Sequence, residues 1–367
     1  MTKIREFASS ILLAVVTLVV SLVIAEFAWR ALHGIPLTST DNLILQKVDI
    51  IRQATGSMQH DPLLGWRLLD GIRAGTFTTG ELGIRMNSNR IEPLRTGGIL
   101  ATGDSMTAGS GVADEETWPA RLEALLSKPV LNGAVGAYGV DQMVLRAEQL
   151  LPIVQPHTLL IGISFQDIFR NNFSVYGGGY KPYFDIEDGK AVLKGVPVPR
   201  IEAGSEVKLG WLRSLLSRSY LADEAIAAAG LQDRWLHHGI RYREVHKPDM
   251  GAKTSCLLMD RLAARKRETG LRVVVVMMYG DPEIRMKPQP PFAVQVNACA
   301  KGAGLELVDT YPRFRALLDG GDAKAYDELW IDEGGRPGHF APPGNLLVAR
   351  LVADQLLAGS EAAGRAK

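Results

Sequence analysis

From residue 98 onward, short apolar runs alternate with longer segments that have helical periodicity. Runs of branched aliphatic residues are typical of strands that are buried on both faces. The runs are Ile99–Thr102, Val130–Leu131, Thr158–Ile161, Val273–Met277 and Leu305–Val308. The helical segments are Trp118–Leu126, Gln142–Leu151, Lys253–Glu268, Pro291–Ala303 and Asn345–Leu357. This alternation predicts a three-layer α/β/α fold with a mainly parallel sheet and helices on both faces.

A long uncharged segment precedes this region. Residues Ala8 to Ala25 carry no charge, and Lys3 and Arg5 lie before them. A helix of about 20 apolar residues spans the hydrocarbon core of a bilayer, and this run is longer than the apolar region of a signal peptide. We therefore expect a single-pass anchor in the inner membrane, with a cytoplasmic N-terminus and the main domain in the periplasm. A cleaved signal peptide and a buried core helix are the alternatives.

The chain is expected to divide into four parts. They are an anchor (1–33), a connector that packs on the main domain (34–97), the main α/β domain (98–357) and a C-terminal tail (358–367). Residues 171–250 interrupt the alternation as an insertion, with a hairpin turn at Glu187-Asp188-Gly189 and an apolar helix at roughly Leu209–Ala229. The insertion follows the third strand, at the sheet end where ligands bind in open α/β folds. It is a candidate lid or substrate wall, and a solvated decoration is the alternative.

The composition excludes some classes of protein. Lys and Arg number 41 against 40 Asp and Glu, a net charge of +1, so no basic field for nucleic acid exists. No Cys/His pattern of the zinc type occurs. Cys256 and Cys299 fall in helical segments on either side of a strand. Two small buried residues are the favoured interpretation, and a disulfide is the alternative in an oxidising compartment.

Two residues far apart in the chain are candidates for catalysis. Ser105 follows the first strand in a Gly103-Asp104-Ser105 turn, and His339 precedes the last helical segment. A parallel sheet brings such positions together, and a serine beside a histidine is the arrangement of a nucleophile and its base. A phosphate-binding loop is a poor alternative, because no lysine follows the turn as a Walker motif requires.

The sequence around these residues resembles the SGNH/GDSL hydrolases, and more narrowly their membrane-anchored bacterial subset. The resemblance is carried by four ordered blocks: Gly103–Gly109 with the following Asp114–Pro119, Asn132–Gln142, Ile161–Ile168, and His339 with Gly344. The stretch from Asp61 to Trp66 is also common ahead of such domains. The resemblance implies an SGNH/flavodoxin-like fold, a serine ester hydrolase, and no organic cofactor or metal.

The resemblance also implies site residues. Ser105 is the expected nucleophile and His339 the expected base. Gly136, Ala137 and Gln166 are expected at the oxyanion or substrate site, and Asp104 and Asp167 are expected to support it. Gln166 stands where the family has asparagine, and Ala137 stands where it has a donor glycine.

The carboxylate that orients the histidine is the main departure from the family pattern. Arg336 and Pro337 occupy the positions before His339 where the family has an aspartate. We therefore predict that Asp332 reaches back around Gly334-Gly335 to the histidine, with Glu333 or a backbone carbonyl as the alternative. A short side chain is more readily held in one rotamer, which is why Asp332 is favoured.

The function that follows is a membrane-anchored esterase acting on an acyl ester of an envelope polysaccharide, a lipid or a small molecule. An O-acetyltransferase of an exported polysaccharide would use the same residues. A catalytically impaired binding or assembly protein with the same fold is the third hypothesis. Covalent labelling of Ser105 would separate the enzymes from the last of these.

Overall fold

The computed structural model describes residues 2–44, 46, 56–200, 210–231, 235 and 242–365. Parts of the predicted connector and insertion, Leu209 of the predicted apolar helix and the last two residues of the predicted tail therefore lie outside the described residues. The helices are α1 (Thr2–Leu32), α2 (Ser105–Ala108), α3 (Trp118–Leu126), α4 (Val140–Val154), α5 (Phe165–Arg170), α6 (Trp211–Leu216), α7 (Tyr220–Ala228), α8 (Met250–Thr269), α9 (Asp281–Arg285), α10 (Pro291–Gly302), α11 (Tyr311–Asp319), α12 (Ala323–Asp327) and α13 (Pro342–Arg365).

The strands divide into one central sheet and several small antiparallel pairs. The central strands are β5 (Ile99–Gly103), β6 (Val130–Asn132), β7 (Thr158–Ser164), β13 (Arg272–Met278) and β14 (Glu306–Asp309). The others are β1 (Met58–Asp61), β2 (Gly65–Leu68), β3 (Arg73–Ala74), β4 (Phe77–Thr78), β8 (Phe173–Tyr176), β9 (Gly179–Tyr180), β10 (Tyr183–Glu187), β11 (Lys190–Lys194), β12 (Arg243–Glu244), β15 (Trp330–Asp332) and β16 (Pro337–Phe340).

The central sheet is parallel and has the order β14-β13-β7-β5-β6. Every residue of β5 and β7 is buried, as continuous apolar runs in a parallel sheet require. Helix α8 packs on both α4 and α10, and α3 packs on α13. Right-handed crossovers place these two groups on opposite faces, because the chain reverses direction along the sheet after β6. The predicted three-layer α/β/α class and all five predicted strands are confirmed.

The reversal after β6 makes the junction between β5 and β7 the topological switch point of the sheet. Connections leave β5 and β7 toward opposite sides, so a crevice opens outside their carboxyl ends. Ser105 follows β5 there, and Phe165 and Gln166 follow β7. The fold therefore places two of the sequence blocks at the edge of the sheet where open α/β folds bind ligands.

The chain separates into two compact units, and their bounds differ from the predicted domains. One unit comprises 1–55 and 202–242, and the other comprises 56–201 and 243–367. The middle of the predicted insertion thus belongs to the same unit as α1, whereas its two ends belong to the unit that holds the central sheet. The predicted tail is also different, since α13 continues through residues 358–365.

The predicted apolar helix of the insertion is two helices. α6 ends at Leu216 and α7 begins at Tyr220. Ser219 caps α7, because its side chain accepts a hydrogen bond from the Ala222 amide. The amides in the first turn of a helix have no carbonyl partner within the helix, and a serine at the N-cap supplies one acceptor. The predicted hairpin turn is confirmed, because Glu187 pairs with Lys190 across Asp188-Gly189.

The two cysteines form a disulfide, which the sequence alone did not favour. Cys256 of α8 and Cys299 of α10 have an S–S distance of 2.03 Å and a Cα–Cα distance of 5.2 Å. These helices pack side by side on one face of the sheet. The disulfide can form only because these two helices pack together. The positions of the cysteines in the sequence do not show this packing, so they were compatible with two separate buried residues as well as with a disulfide.

Candidate active site

Ser105 is the first residue of α2, at the carboxyl end of β5. Gly103 makes this turn close-packed, because a Cβ at its position would lie 2.2 Å from Oγ1 of Thr107 and 2.7 Å from the carbonyl oxygen of Gly162. Thr107 therefore packs its side chain over both strands, where the nucleophile elbow of α/β-hydrolases has a glycine. The N–H of Ser105 has no intrahelical partner, since it lies in the first turn of a helix.

His339 reaches the serine from a hairpin in the C-terminal part of the chain. Strands β15 and β16 are antiparallel, and the Glu333 amide donates to the carbonyl oxygen of Arg336 at 2.8 Å. Gly334 and Gly335 have φ of 68° and 82°, the left-handed conformations of a two-residue hairpin turn. In this arrangement Nε2 of His339 lies 2.9 Å from Oγ of Ser105, although the residues are 234 positions apart.

Glu333 is the carboxylate beside the histidine. Its Oε1 atom lies 2.5 Å from Nδ1 of His339 and accepts a second hydrogen bond from the His339 amide at 3.2 Å. The hydrogen bond from the imidazole lowers the pKa of Glu333, so the carboxylate stays ionised as an acceptor. An acceptor at Nδ1 fixes the ring so that the lone pair of Nε2 faces the serine.

The placement predicted for Asp332 is wrong. Asp332 is exposed, and its carboxylate accepts a hydrogen bond from the Gly335 amide at 2.6 Å, within the hairpin turn. Neighbouring residues of a strand point to opposite faces, so Asp332 and Glu333 cannot both face His339. The two-glycine turn does bring a carboxylate back to the histidine, but that carboxylate belongs to Glu333, the residue directly before the turn.

Gly338 gives Glu333 the room that this contact needs. A Cβ on Gly338 would lie 2.2 Å from Cδ of Glu333 and 2.6 Å from its Oε1. The carboxylate thus lies directly over the backbone of the opposite strand. The Glu333–His339 contact is half open to water, with 29% of the His339 and 48% of the Glu333 side chain exposed. It therefore contributes little to stability, and its effect is on the orientation of the ring.

The turn at Gly136 and Ala137 lies beside the serine. A Cβ on Gly136 would lie 4.0 Å from Cβ of Ser105. Ala137 has φ of 66°, so alanine here adopts the conformation that glycine adopts more readily. Within the part of the chain that the structure describes, the N–H groups of these two residues have no protein acceptor. Two amides beside the nucleophile are the arrangement of an oxyanion hole.

Trp66 holds this turn from the other side. Its indole N–H donates to the carbonyl oxygen of Gly136 at 3.1 Å, and its ring packs edge-on against Tyr138 with centroids 5.8 Å apart. Tyr138 in turn donates to the Trp66 carbonyl oxygen at 2.5 Å. The β1–β2 hairpin, which contains the stretch from Asp61 to Trp66, therefore supports the Gly136 turn.

Gln166 and Asp167 lie on α5, at the carboxyl end of β7. The Gln166 side chain is exposed and has no hydrogen-bond partner among the described residues. Asp167 is fully buried and accepts a hydrogen bond from the Ser164 amide at 2.6 Å. Gln166 is thus free to turn toward a ligand, whereas Asp167 is a fixed part of the wall beneath it.

Asp104 and Asp167 share one guanidinium that the sequence did not single out. Arg170 donates to Asp167 at 2.5 Å, to Asp104 at 3.3 Å and to the carbonyl oxygen of Tyr138 at 3.0 Å. Asp104 also accepts from the Met106 amide at 2.9 Å, which caps α2. One arginine therefore joins the loops after β5, β6 and β7, and it lies one helical turn after Gln166 on α5.

The charges in this cluster shift one another. Burial raises the pKa of Asp167 well above its usual range, and the nearby Asp104 carboxylate adds to the rise. Burial alone would lower the pKa of Arg170, but Asp167 and Asp104 raise it further than burial lowers it. Arg170 thus remains a cation. One guanidinium faces two carboxylates, so the negative charge on Asp167 is the one that burial and Asp104 disfavour.

Comparisons with known proteins add the following. No protein-family model and no curated protein sequence matches this chain. Solved structures with a similar fold include a member of the lipolytic protein G-D-S-L family from Veillonella parvula, which is 13% identical over 70% of this chain and 96% of that chain, with a TM-score of 0.36. The lipase/acylhydrolase from Enterococcus faecalis is 13% identical over 71% and 95%, with a TM-score of 0.38.

An acetylxylan esterase from Geobacillus stearothermophilus is also similar, at 13% identity over 72% of this chain and 96% of that chain, with a TM-score of 0.39. At these TM-scores the likeness carries no argument about activity. The likeness is one of fold: each of these three solved structures is covered almost completely, by about seven tenths of this chain.

Proposed function

We propose that this protein is a serine ester hydrolase. The observation that carries the proposal is the continuous line of hydrogen bonds from Glu333 through His339 to Ser105. Nε2 of His339 removes the proton as Oγ of Ser105 attacks the ester carbonyl, and the imidazolium then protonates the departing alcohol. Water attacks the acyl-serine in the second half of the reaction, with His339 again as base.

The charge that forms on the carbonyl oxygen needs donors. The Ser105 amide and the amides of the Gly136–Ala137 turn are free to donate to it, and Gln166 is the side-chain candidate. Donors that are already oriented stabilise the developing oxyanion at no cost of reorganisation. Trp66 and Arg170 support this site indirectly, because they bind the Gly136 and Tyr138 carbonyl oxygens.

Labelling and kinetics on the same variants test the proposal. Ser105→Ala should abolish labelling by a fluorophosphonate and lower kcat on a short acyl ester by more than 10³-fold, as expected for a lost nucleophile. Ser110→Ala is the matched control, because Ser110 lies on the same loop and its amide, not its hydroxyl, bonds to Ser105. A Ser105→Ala variant that keeps a tenth of the activity would rule out this nucleophile. Analysis of the products with a sugar acceptor present distinguishes transfer from hydrolysis.

We also propose that α1 anchors the chain in a membrane. Ser9–Leu32 is long and apolar enough to span a bilayer, and no residue of its apolar 18-residue window is buried in the structure. A signal sequence has the same properties, so the support comes from two further features. Lys3 and Arg5 favour a cytoplasmic N-terminus, and the Cys256–Cys299 disulfide is typical of an oxidising compartment such as the periplasm.

Alkaline extraction tests the anchor. The full chain should remain in the membrane pellet at its uncleaved mass, and a variant lacking residues 1–33 should retain esterase activity, because Ser105, His339 and Glu333 all belong to the other unit. A full chain that is processed to a shorter mass and released would show that α1 is a signal sequence.

A further inference from the structure

Charged residues near the end of α1 bind the junction between α6 and α7. Glu26 accepts hydrogen bonds from the hydroxyl of Ser219 at 2.7 Å and from the amides of Tyr220 and Leu221 at 3.1 and 3.0 Å. Arg30 pairs with Glu26 at 2.7 Å and donates to the Arg218 carbonyl oxygen at 2.9 Å. A carboxylate can therefore lie so near the apolar run, because Arg30 balances its charge. Its oxygens also accept hydrogen bonds from the first amides of α7.

These contacts fix the depth of the junction. The hydrocarbon core takes about 20 residues of a helix, so a span that begins at Ser9 leaves it near Ala28. Arg30 then lies at the level of the lipid headgroups, and so does the Arg218 carbonyl that it binds. Arg30 is only 7% exposed. Because Arg30 binds Arg218 and Glu26 binds the next three residues, the junction is tied to α1 at two side chains.

Helix α6 ends two residues before Arg218 and has an uncovered apolar side. Trp211, Leu212 and Leu215 are 80%, 51% and 62% exposed, and their spacing places them on one side of the helix. Six helical residues extend about 9 Å. The whole of α6 is thus within about one headgroup layer of the point where α1 leaves the hydrocarbon core.

We propose that α6 lies in the membrane interface, with Trp211, Leu212 and Leu215 among the headgroups and the upper part of the acyl chains. The inference rests on the proposed anchoring of α1. Tryptophan and leucine are the residues that interfacial helices insert. Three side chains are too few to cover the roughly 1,000 Å² that a stable interface between two proteins needs, which favours lipid over a second copy of the chain.

Spin labels on the full chain test this placement. Both native cysteines are in the disulfide, so a label added to Leu215→Cys attaches there alone. The protein is reconstituted in vesicles of phosphatidylcholine and phosphatidylglycerol, and collisions of the label with oxygen and with a water-soluble nickel chelate are measured. Leu125→Cys is the matched control, because Leu125 is a leucine on α3 that is 46% exposed. Leu18→Cys, on α1, is the control for the anchor.

The expected result is a ratio of oxygen to nickel collisions that is several-fold higher at position 215 than at 125, and higher still at 18. Equal ratios at 215 and 125 with a high ratio at 18 would overturn the inference and leave the anchor intact. Low ratios at all three positions would overturn the anchor itself. Dipolar broadening between labels at 215 would show that a second copy covers the face, and would also overturn the proposal. Labelling Leu212→Cys repeats the test on the same face.

Discussion

Glu333 holds His339 at two atoms, because one carboxylate oxygen lies 2.5 Å from Nδ1 and 3.2 Å from the backbone amide of the same histidine. Both the ring and the strand that carries it are therefore fixed by one side chain. The contact exists because β15 and β16 are joined by the shortest hairpin turn, which sets Glu333 across from the histidine strand.

Replacing Glu333 should impair catalysis far more than replacing its neighbour. We expect Glu333→Gln to lower kcat by roughly 10²- to 10⁴-fold with little change in KM, since a lost triad carboxylate costs up to about 10⁴-fold. Asp332→Asn is the matched control and should keep kcat, because the carboxylate of Asp332 accepts its hydrogen bond from Gly335, within the hairpin turn. Steady-state kinetics of the two variants tests this prediction. If Asp332→Asn lowered kcat as much as Glu333→Gln does, Glu333 would not be the residue that orients His339.

The same pair predicts a dependence on pH. Its hydrogen bond to His339 lowers the pKa of Glu333 in the folded protein. The contribution of this contact is thus fully present above the ordinary pKa of a glutamate, about 4.3, and is lost as the pH falls through the lowered folded value. The carboxyl signal of Glu333, followed by NMR during an acid titration, should therefore titrate below that of an exposed glutamate. A midpoint at or above 4.3 would contradict the contact.

Gly338→Ala should displace the carboxylate without removing it. The added Cβ would overlap Cδ of Glu333 at 2.2 Å, so the side chain must turn away from His339. We expect kcat to fall toward that of Glu333→Gln while the thermal midpoint changes little. Gly302→Ala is the control, because a Cβ there meets nothing within 4 Å. Activity equal to that of the wild type would mean that the hairpin shifts and the carboxylate keeps its place.

Trp66→Phe should loosen the proposed oxyanion turn. Phenylalanine keeps most of the ring that packs on Tyr138 but cannot donate to the Gly136 carbonyl oxygen. We expect kcat to fall about tenfold, equivalent to about 1.4 kcal/mol of transition-state stabilisation, with KM nearly unchanged. Trp118→Phe is the comparison, because the indole N–H of Trp118 is buried without a partner. That variant should lose stability but not kcat, and equal kcat losses in both would show that Trp66 has only a structural role.

Removing the disulfide should lower the stability of the α/β unit. The bond closes a loop with a sequence separation of 43 residues, for which the loop-entropy relation gives about 4 kcal/mol. The double variant Cys256→Ser/Cys299→Ser should therefore unfold at lower urea concentration, and reduction of the wild type should have the same effect. An unchanged midpoint after reduction would show that the two thiols are not paired in the protein.

The sequence by itself determined the class of the fold and two members of the proposed catalytic triad, Ser105 and His339. Apolar runs alternating with helical segments are a local property, since each run must be buried on both faces whatever its neighbours are. Ser105 and His339 could be identified because each lies next to such an element, at the carboxyl end of β5 and before α13. The uncharged run of α1 is equally local, because its length and composition are independent of the rest of the chain.

Tertiary structure decided which groups these residues meet. Asp332 and Glu333 are adjacent in the sequence, and only the register of the β15–β16 hairpin shows that the second faces His339. The disulfide depends on the packing of α8 against α10, and the roles of Trp66 and Arg170 depend on loops from distant parts of the chain. Contacts of this kind are set by the register and packing of elements that are far apart in sequence, so no local pattern of residue types could have specified them.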